Sequence, residues 1–91
     1  MQDNNKKYFI SELGNLIKNH RENLDKNIYQ ISAESSIPRS TWRDIELALR
    51  NDINLTNFCK IAEGLDIPCY ELLKELMEKL GDDFSFTGLD N

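Results

Sequence analysis

Apolar residues recur at three- and four-residue intervals along most of this chain, and each run stops at a polar or proline-marked break. Ile10, Leu13, Leu16 and Ile17 share one face with His20 beside them, which predicts a helix over 8–23. The polar stretch 22–27 reads as a loop with Leu24 plugged into the core. Asn27-x-x-Gln30 has the form of a capping box, in which the Asn27 oxygen accepts from a first-turn amide and Gln30 reaches back. A short helix with Ile28, Ile31 and the small Ser32 and Ser35 follows. Ser36-Ile37-Pro38 ends it, and Pro38 presets helical φ for a third helix over 39–49 that carries Trp42, Ile45 and Leu49. Asn54 suits the N-cap of a fourth helix over 55–64, with the stripe Leu55, Phe58, Ile61, Ala62 and Leu65. Pro68 opens a fifth, where Cys69, Leu72, Leu73, Leu76, Met77 and Leu80 keep helical spacing and Gly81 closes as a left-handed cap. No strand pattern and no repeat interrupts this series. The expected fold is all-α with five helices.

Length and composition narrow the function classes. A chain of 91 residues with 40% apolar content is one globular domain. Folding at this size buries only about 60–65% of the surface, which disfavours a large cofactor cleft. The expected organisation is a frayed segment 1–7, a folded domain 8–81 and an acidic, aromatic tail 82–91 holding Phe84, Phe86 and Leu89. No apolar run approaches the ~20 residues that span a bilayer, and the opening residues lack a signal-peptide stretch, so a cytoplasmic location is expected. Cys59 and Cys69 form no C-x-x-C pair, and His20 has neither acid nor thiol near it in sequence. No metal, cofactor or catalytic role is expected of them, only reduced thiols and a boundary histidine. A glycine-rich phosphate loop is lacking, as are paired acids in a pocket-forming context, so the chain is not expected to be an enzyme.

The formal net charge of −5 argues against nucleic acid until its distribution is considered. Residues 1–50 hold eight basic and seven acidic groups, while residues 51–91 hold three and nine. A nucleic-acid face therefore belongs to the first half. There, two short helices joined by a tight turn, the second opening with polar side chains, have the form of a helix-turn-helix. Steeply crossing helices need a small residue at closest approach, here Ser32, and an apolar plug after the turn, here Ile37. Trp42 and Ile45, three apart, bury one side of the second helix and leave the other free for a major groove.

Residues 28–47, IYQISAESSIPRSTWRDIEL, resemble the helix-turn-helix of phage-repressor and Cro-type (XRE) regulators, and the stretch 37–46 is similar to that family's recognition helix. Downstream, Leu55, Lys60-Ile61-Ala62, Leu65-Asp66-Ile67 and Glu71-Leu72-Leu73 resemble its closing helices, so the likeness covers roughly residues 10–75. It implies a lambda-repressor-like five-helix DNA-binding domain, here with an extended last helix and a short tail. It further implies an ion pair between Arg21 and Glu46 that locks the first helix to the third. Four positions depart from the family. Ile28 stands where a phosphate-holding Gln is usual, so Asn27 and the helix amides inherit that contact. Ser36 replaces the turn glycine, tolerable at negative φ. Trp42 replaces a smaller residue, and the stripe Leu76, Met77, Leu80 runs past the family's compact domain.

The resemblance places Arg39, Ser40, Arg43 and Asp44 toward the groove. Arg39 or Arg43 can read guanine through O6 and N7, while Asp44 can accept from cytosine or orient an Arg. Ser40 and Thr41 bond phosphate or a base edge, and Arg50, Asn51 and Asn54 lie where the family grips the backbone. The plain alternative is a solvated amphipathic face. Few cations per subunit give modest affinity, so specific binding to double-stranded DNA calls for a homodimer on a two-fold related site. Leu76, Met77, Leu80, Phe84 and Phe86 are the candidate dimer surface, unless the tail folds back over its own helix. Trp42 is expected in the core. Glu71, Glu75 and Glu78 form an acidic face, either solvated or set for a basic partner. The expectation is a DNA-binding transcriptional regulator, a repressor by preference. The competing one is an antitoxin or adaptor whose acidic C-terminal half binds a basic protein.

Overall fold

The structure, a computed structural model, describes residues 2–88. Leu89 of the tail lies outside them. Five helices follow in order, α1 (Gln2–Asn23), α2 (Ile28–Ser35), α3 (Arg39–Glu46), α4 (Leu55–Gly64) and α5 (Cys69–Leu80). The described residues contain no strand. α1 packs on α3 and α5, α2 on α3 and α4, and α4 on α5. One core results, built from Leu13 and Ile17 of α1, Ile31 of α2, Trp42 and Ile45 of α3, Phe58 and Ile61 of α4, and Leu72 and Leu76 of α5. The 22 residues of α1 run about 33 Å and set the long dimension of a 43 × 22 × 20 Å molecule.

The helix starts follow local chemistry. Asn27 Oδ1 accepts from the Gln30 amide at 2.8 Å while Gln30 Oε1 accepts from the Asn27 amide at 2.9 Å, completing the capping box. Asn54 Oδ1 accepts from the Asn57 amide at 2.7 Å and starts α4 in the same way. Pro38 and Pro68, with φ of −58° each, precede α3 and α5. These are the starts the sequence predicts.

Two helix bounds differ from expectation. α1 begins at Gln2 rather than Tyr8, because the tail 82–88 holds its opening turns. Asn5 Nδ2 donates to the Ser85 carbonyl at 2.6 Å, and Phe9 packs on Phe86 with ring centroids 4.8 Å apart. Residues 2–7 are thus helical and tethered rather than a loose segment. α3 ends at Glu46 rather than near Leu49. Ala48 adopts φ +58°, its amide donates to Ile45 and the Leu49 amide donates to Asp44. This double closure turns the chain out of the helix. Leu49 is consequently exposed rather than core.

Three further corrections concern single positions. Leu24 is exposed, because the space beneath its loop is filled by the Arg21 guanidinium, whose Nη1 donates to the Lys26 carbonyl at 2.8 Å. Leu55 is 76% exposed, since the first position of α4 lies beyond the edge of the core. Ser36 sits at φ +60°, not at the negative φ that would make its replacement of glycine costless. Gly81 closes α5 at φ 95°, ψ 162°, a positive-φ region reserved for glycine though not the left-handed helical one.

Close approach depends on glycine at two unforeseen places. A Cβ on Gly14 would meet the Ile45 and Glu46 carbonyl oxygens at 2.6 and 2.7 Å, so α1 lies directly against the end of α3. Gly64 of α4 meets Ser35 of α2 in the same manner. Both contacts pin the α2–α3 pair to the rest of the molecule. No helix among the described residues is long and apolar enough to cross a membrane.

Candidate nucleic-acid interface

α2 and α3, eight residues each, are joined by the three-residue turn 36–38. Ile37 is buried as the plug, with its amide bonded to the Ser32 carbonyl at 3.3 Å. Ser32 and Ser35 are buried where α2 meets its neighbours. Ser35 Oγ satisfies itself by donating to the Ile31 carbonyl at 2.8 Å.

The inner side of α3 is fastened by one carboxylate. Glu46 Oε2 accepts from Arg21 Nε at 2.6 Å and from the Trp42 indole at 2.5 Å, while Oε1 accepts from Arg21 Nη2 at 2.9 Å. The Arg21–Glu46 pairing is thus present and bidentate. Glu46 is buried, and the Arg21 side chain is only 12% exposed. The hydrogen bond to Glu46 holds the Arg21 guanidinium above its already high ordinary pKa, outweighing the opposing effect of burial. Sequence reasoning missed the Trp42 donor. The i, i+4 spacing of Trp42 and Glu46 on one helix is the signal that would have revealed it.

With Trp42, Ile45 and Glu46 committed inward, Arg39, Ser40, Arg43 and Leu47 face solvent. The Arg39 guanidinium lies 4.7 Å from the centroid of the exposed Tyr29 ring of α2, a cation–π contact the spacing analysis did not anticipate. Ile28, Pro38, Arg39, Ser40 and Arg43 line a shallow groove between the start of α2 and the start of α3. Asp44 is half-buried between two guanidinium groups, 3.4 Å from Arg43 Nη2 and 3.5 Å from Arg50 Nε. Of its two expected roles, this geometry suits orienting an Arg. Arg50 Nη2 also donates to Thr41 Oγ1 at 3.3 Å, so the loop after α3 is tied to the same helix.

The remaining candidates are distributed around this surface. Asn27 is exposed at the start of α2, with its oxygen used in the cap. Asn54 likewise caps α4. Asn51 is exposed in the loop between α3 and α4. It lines a cleft of about 470 Å³ together with Arg50, Lys6 and Lys7. Asp52, the next residue, is held below the usual carboxylate range by the Ile53 amide first and by Lys6 next, 3.2 Å away.

The five expected dimer residues do not form one exposed face. Leu76 is fully buried in the core, because the α5 stripe faces α1 and α4 rather than solvent. Leu80 is half-buried against the same core. Phe84 and Phe86 pack edge-on at 4.9 Å and lie over Phe9 and Tyr8, so the tail folds back, onto α1. Met77 keeps an exposed face and shares it with Leu73 and Tyr70.

His20 meets an acid after all, with Nε2 2.6 Å from Glu75 Oε1, 55 residues away in sequence. This contact removes one member of the acidic row on α5. Cys59 and Cys69 remain free thiols. A hydrogen bond to Cys69 pushes the Cys59 thiol pKa up, which suits a packing role better than a nucleophile. No family model matches this chain, and no curated protein or solved structure gives a significant match either.

Proposed function

We propose that this chain is a sequence-specific DNA-binding transcriptional regulator of the phage-repressor and Cro (XRE) type, cytoplasmic and without enzymatic activity. It reads the major groove with α3 as a homodimer on a two-fold related operator, and represses by occupying it. The observation that carries this reading is the clamp of Arg21 and Trp42 on Glu46, which turns the inner side of α3 into the core and leaves Arg39, Ser40 and Arg43 outward. A helix held that rigidly pays little entropy when its side chains meet base edges. The half-occupied guanidinium of Arg43, 3.4 Å from Asp44, has donors left for guanine.

Selection of random duplex DNA on the purified protein at about 0.1 M salt tests the reading. An enriched two-fold related motif is expected. A pool without enrichment, with only weak salt-sensitive binding, overturns it. The second reading, an antitoxin or adaptor, is favoured by the exposed Tyr70, Leu73 and Met77 on the acidic half of the molecule. It predicts a basic protein that copurifies with the chain and is released by charge reversal on α5.

A further inference from the structure

We propose that the cleft between the opening turns of α1 and the loop after α3 is a second DNA contact, which holds the phosphodiester backbone beside the groove read by α3. This inference rests on the DNA-binding reading and extends it to Lys6 and Lys7. The cleft has basic walls, Lys6 and Lys7 on one side and Arg50 with Asn51 on the other, over a floor that includes Ile10 and Ala48. Opposed cations across a groove focus potential where an anion enters.

Its position ties it to α3. Arg50 is bonded to Thr41 and paired with Asp44, both on α3, so one guanidinium borders the cleft and the recognition surface together. Lys6 is anchored opposite by Asp52 at 3.2 Å. Arg50 is thereby already placed, and little of its rotamer entropy remains to be lost on binding, whereas Lys6 exchanges the Asp52 carboxylate for phosphate. The cleft also discriminates among anions. None of its lining residues is aromatic, so it offers no platform for stacking a base. A free nucleotide or a single strand would find only charge there, whereas a duplex seated on α3 needs only charge at its flank.

The tail explains how this wall exists. Polar residues 2–7 have no apolar stripe of their own, yet they are helical because Asn5 bonds to Ser85 and Phe9 packs on Phe84 and Phe86. The acidic, aromatic tail thus supports the basic wall through the residues that flank Lys6 and Lys7.

Salt titrations on the operator duplex recovered by selection test the proposal, using wild type, the double variant Lys6→Gln with Lys7→Gln, Asp52→Asn, and Arg43→Ala. Each lost phosphate contact lowers the slope of log K against log salt by about 0.9. The double variant is expected to lower it by about 1.8 with base preference unchanged. Asp52→Asn separates phosphate contact from a structural tether. It removes a repelling charge and frees Lys6, so binding should tighten by about two- to fivefold at low salt. An unchanged slope in the double variant overturns the proposal, as does weaker binding by Asp52→Asn. If Arg43→Ala still relaxes base preference in those cases, only the second contact fails. Absence of duplex binding by wild type overturns the DNA-binding reading together with it.

Discussion

Arg21, Trp42 and Glu46 show how one residue can carry a molecule's geometry. Three donors converge on the Glu46 carboxylate, which is buried between α1 and α3. Glu46→Ala would strand Arg21 Nε and Nη2 and the indole without their acceptors, leaving only the Nη1 bond to the Lys26 carbonyl, at a cost of about 3–5 kcal/mol. Glu46→Gln retains acceptor and shape and should cost clearly less. Urea unfolding measures both, and equal losses would make the charge of Glu46, rather than its shape and acceptor oxygen, the source. The outward side of the same helix answers to a different readout. Arg43→Ala should leave stability within about 0.5 kcal/mol, since the side chain is largely exposed. It should weaken operator binding by about 1–3 kcal/mol and relax preference at one base pair. Unchanged preference in a binding selection would remove Arg43 from the interface.

At the scale of elements, the caps were legible in sequence because their chemistry is local. Asn27 with Gln30, Asn54, Pro38 and Pro68 all act within one helical turn, and α2, α4 and α5 take the expected bounds. The end of α3 was harder to see, because it turns at positive φ without glycine, at Ala48, as the chain also does at Asp25, Ser36 and Asp66 after the other helices. Asp tolerates that conformation, while Ala has no side-chain hydrogen bond to offset it. Ala48→Gly should therefore stabilise the fold by about 1 kcal/mol, raising Tm by about 4–8 °C. A lower Tm would show that Ala48 is held by contacts rather than strained. The start of α1 was hidden for another reason. Its support comes from Ser85, Phe84 and Phe86, nearly the whole chain away, and no periodicity within 2–7 reports it. Truncation after Gly81 should fray residues 2–9, seen as lost helicity by circular dichroism and faster amide exchange there. Full protection of those amides would assign the extra turns to α1 itself.

Over the whole molecule, charge and apolar exposure divide between two surfaces. Arg39, Arg43 and Arg50 lie on or beside α3, whereas α5 carries Glu71, Glu75 and Glu78 with Tyr70, Leu73 and Met77 exposed among them. Burial of Trp42 and Ile45 dictates which face of α3 stays outward, and Arg39, Ser40 and Arg43 fall on it. The dimer surface was misread, because helical spacing cannot say which of two adjacent stripes the core takes. Leu72 and Leu76 went inward, and the positions one residue on, Leu73 and Met77, stayed outside. On the DNA-binding reading we propose, a handful of cations on one copy gives a salt slope too shallow for tight operator binding, and a second copy would add its own. Tyr70, Leu73 and Met77, at i, i+3 and i+7, form the α5 face that a two-fold partner would cover. Met77→Glu places a charge in its centre without entering the core. The variant is expected to keep its Tm within a few degrees, to scatter light as a monomer, and to bind a full operator no better than a half-site. Its preference within the half-site should match wild type, because α3 is untouched. A dimer that survives Met77→Glu would move the interface off α5 and return that face to a basic protein partner.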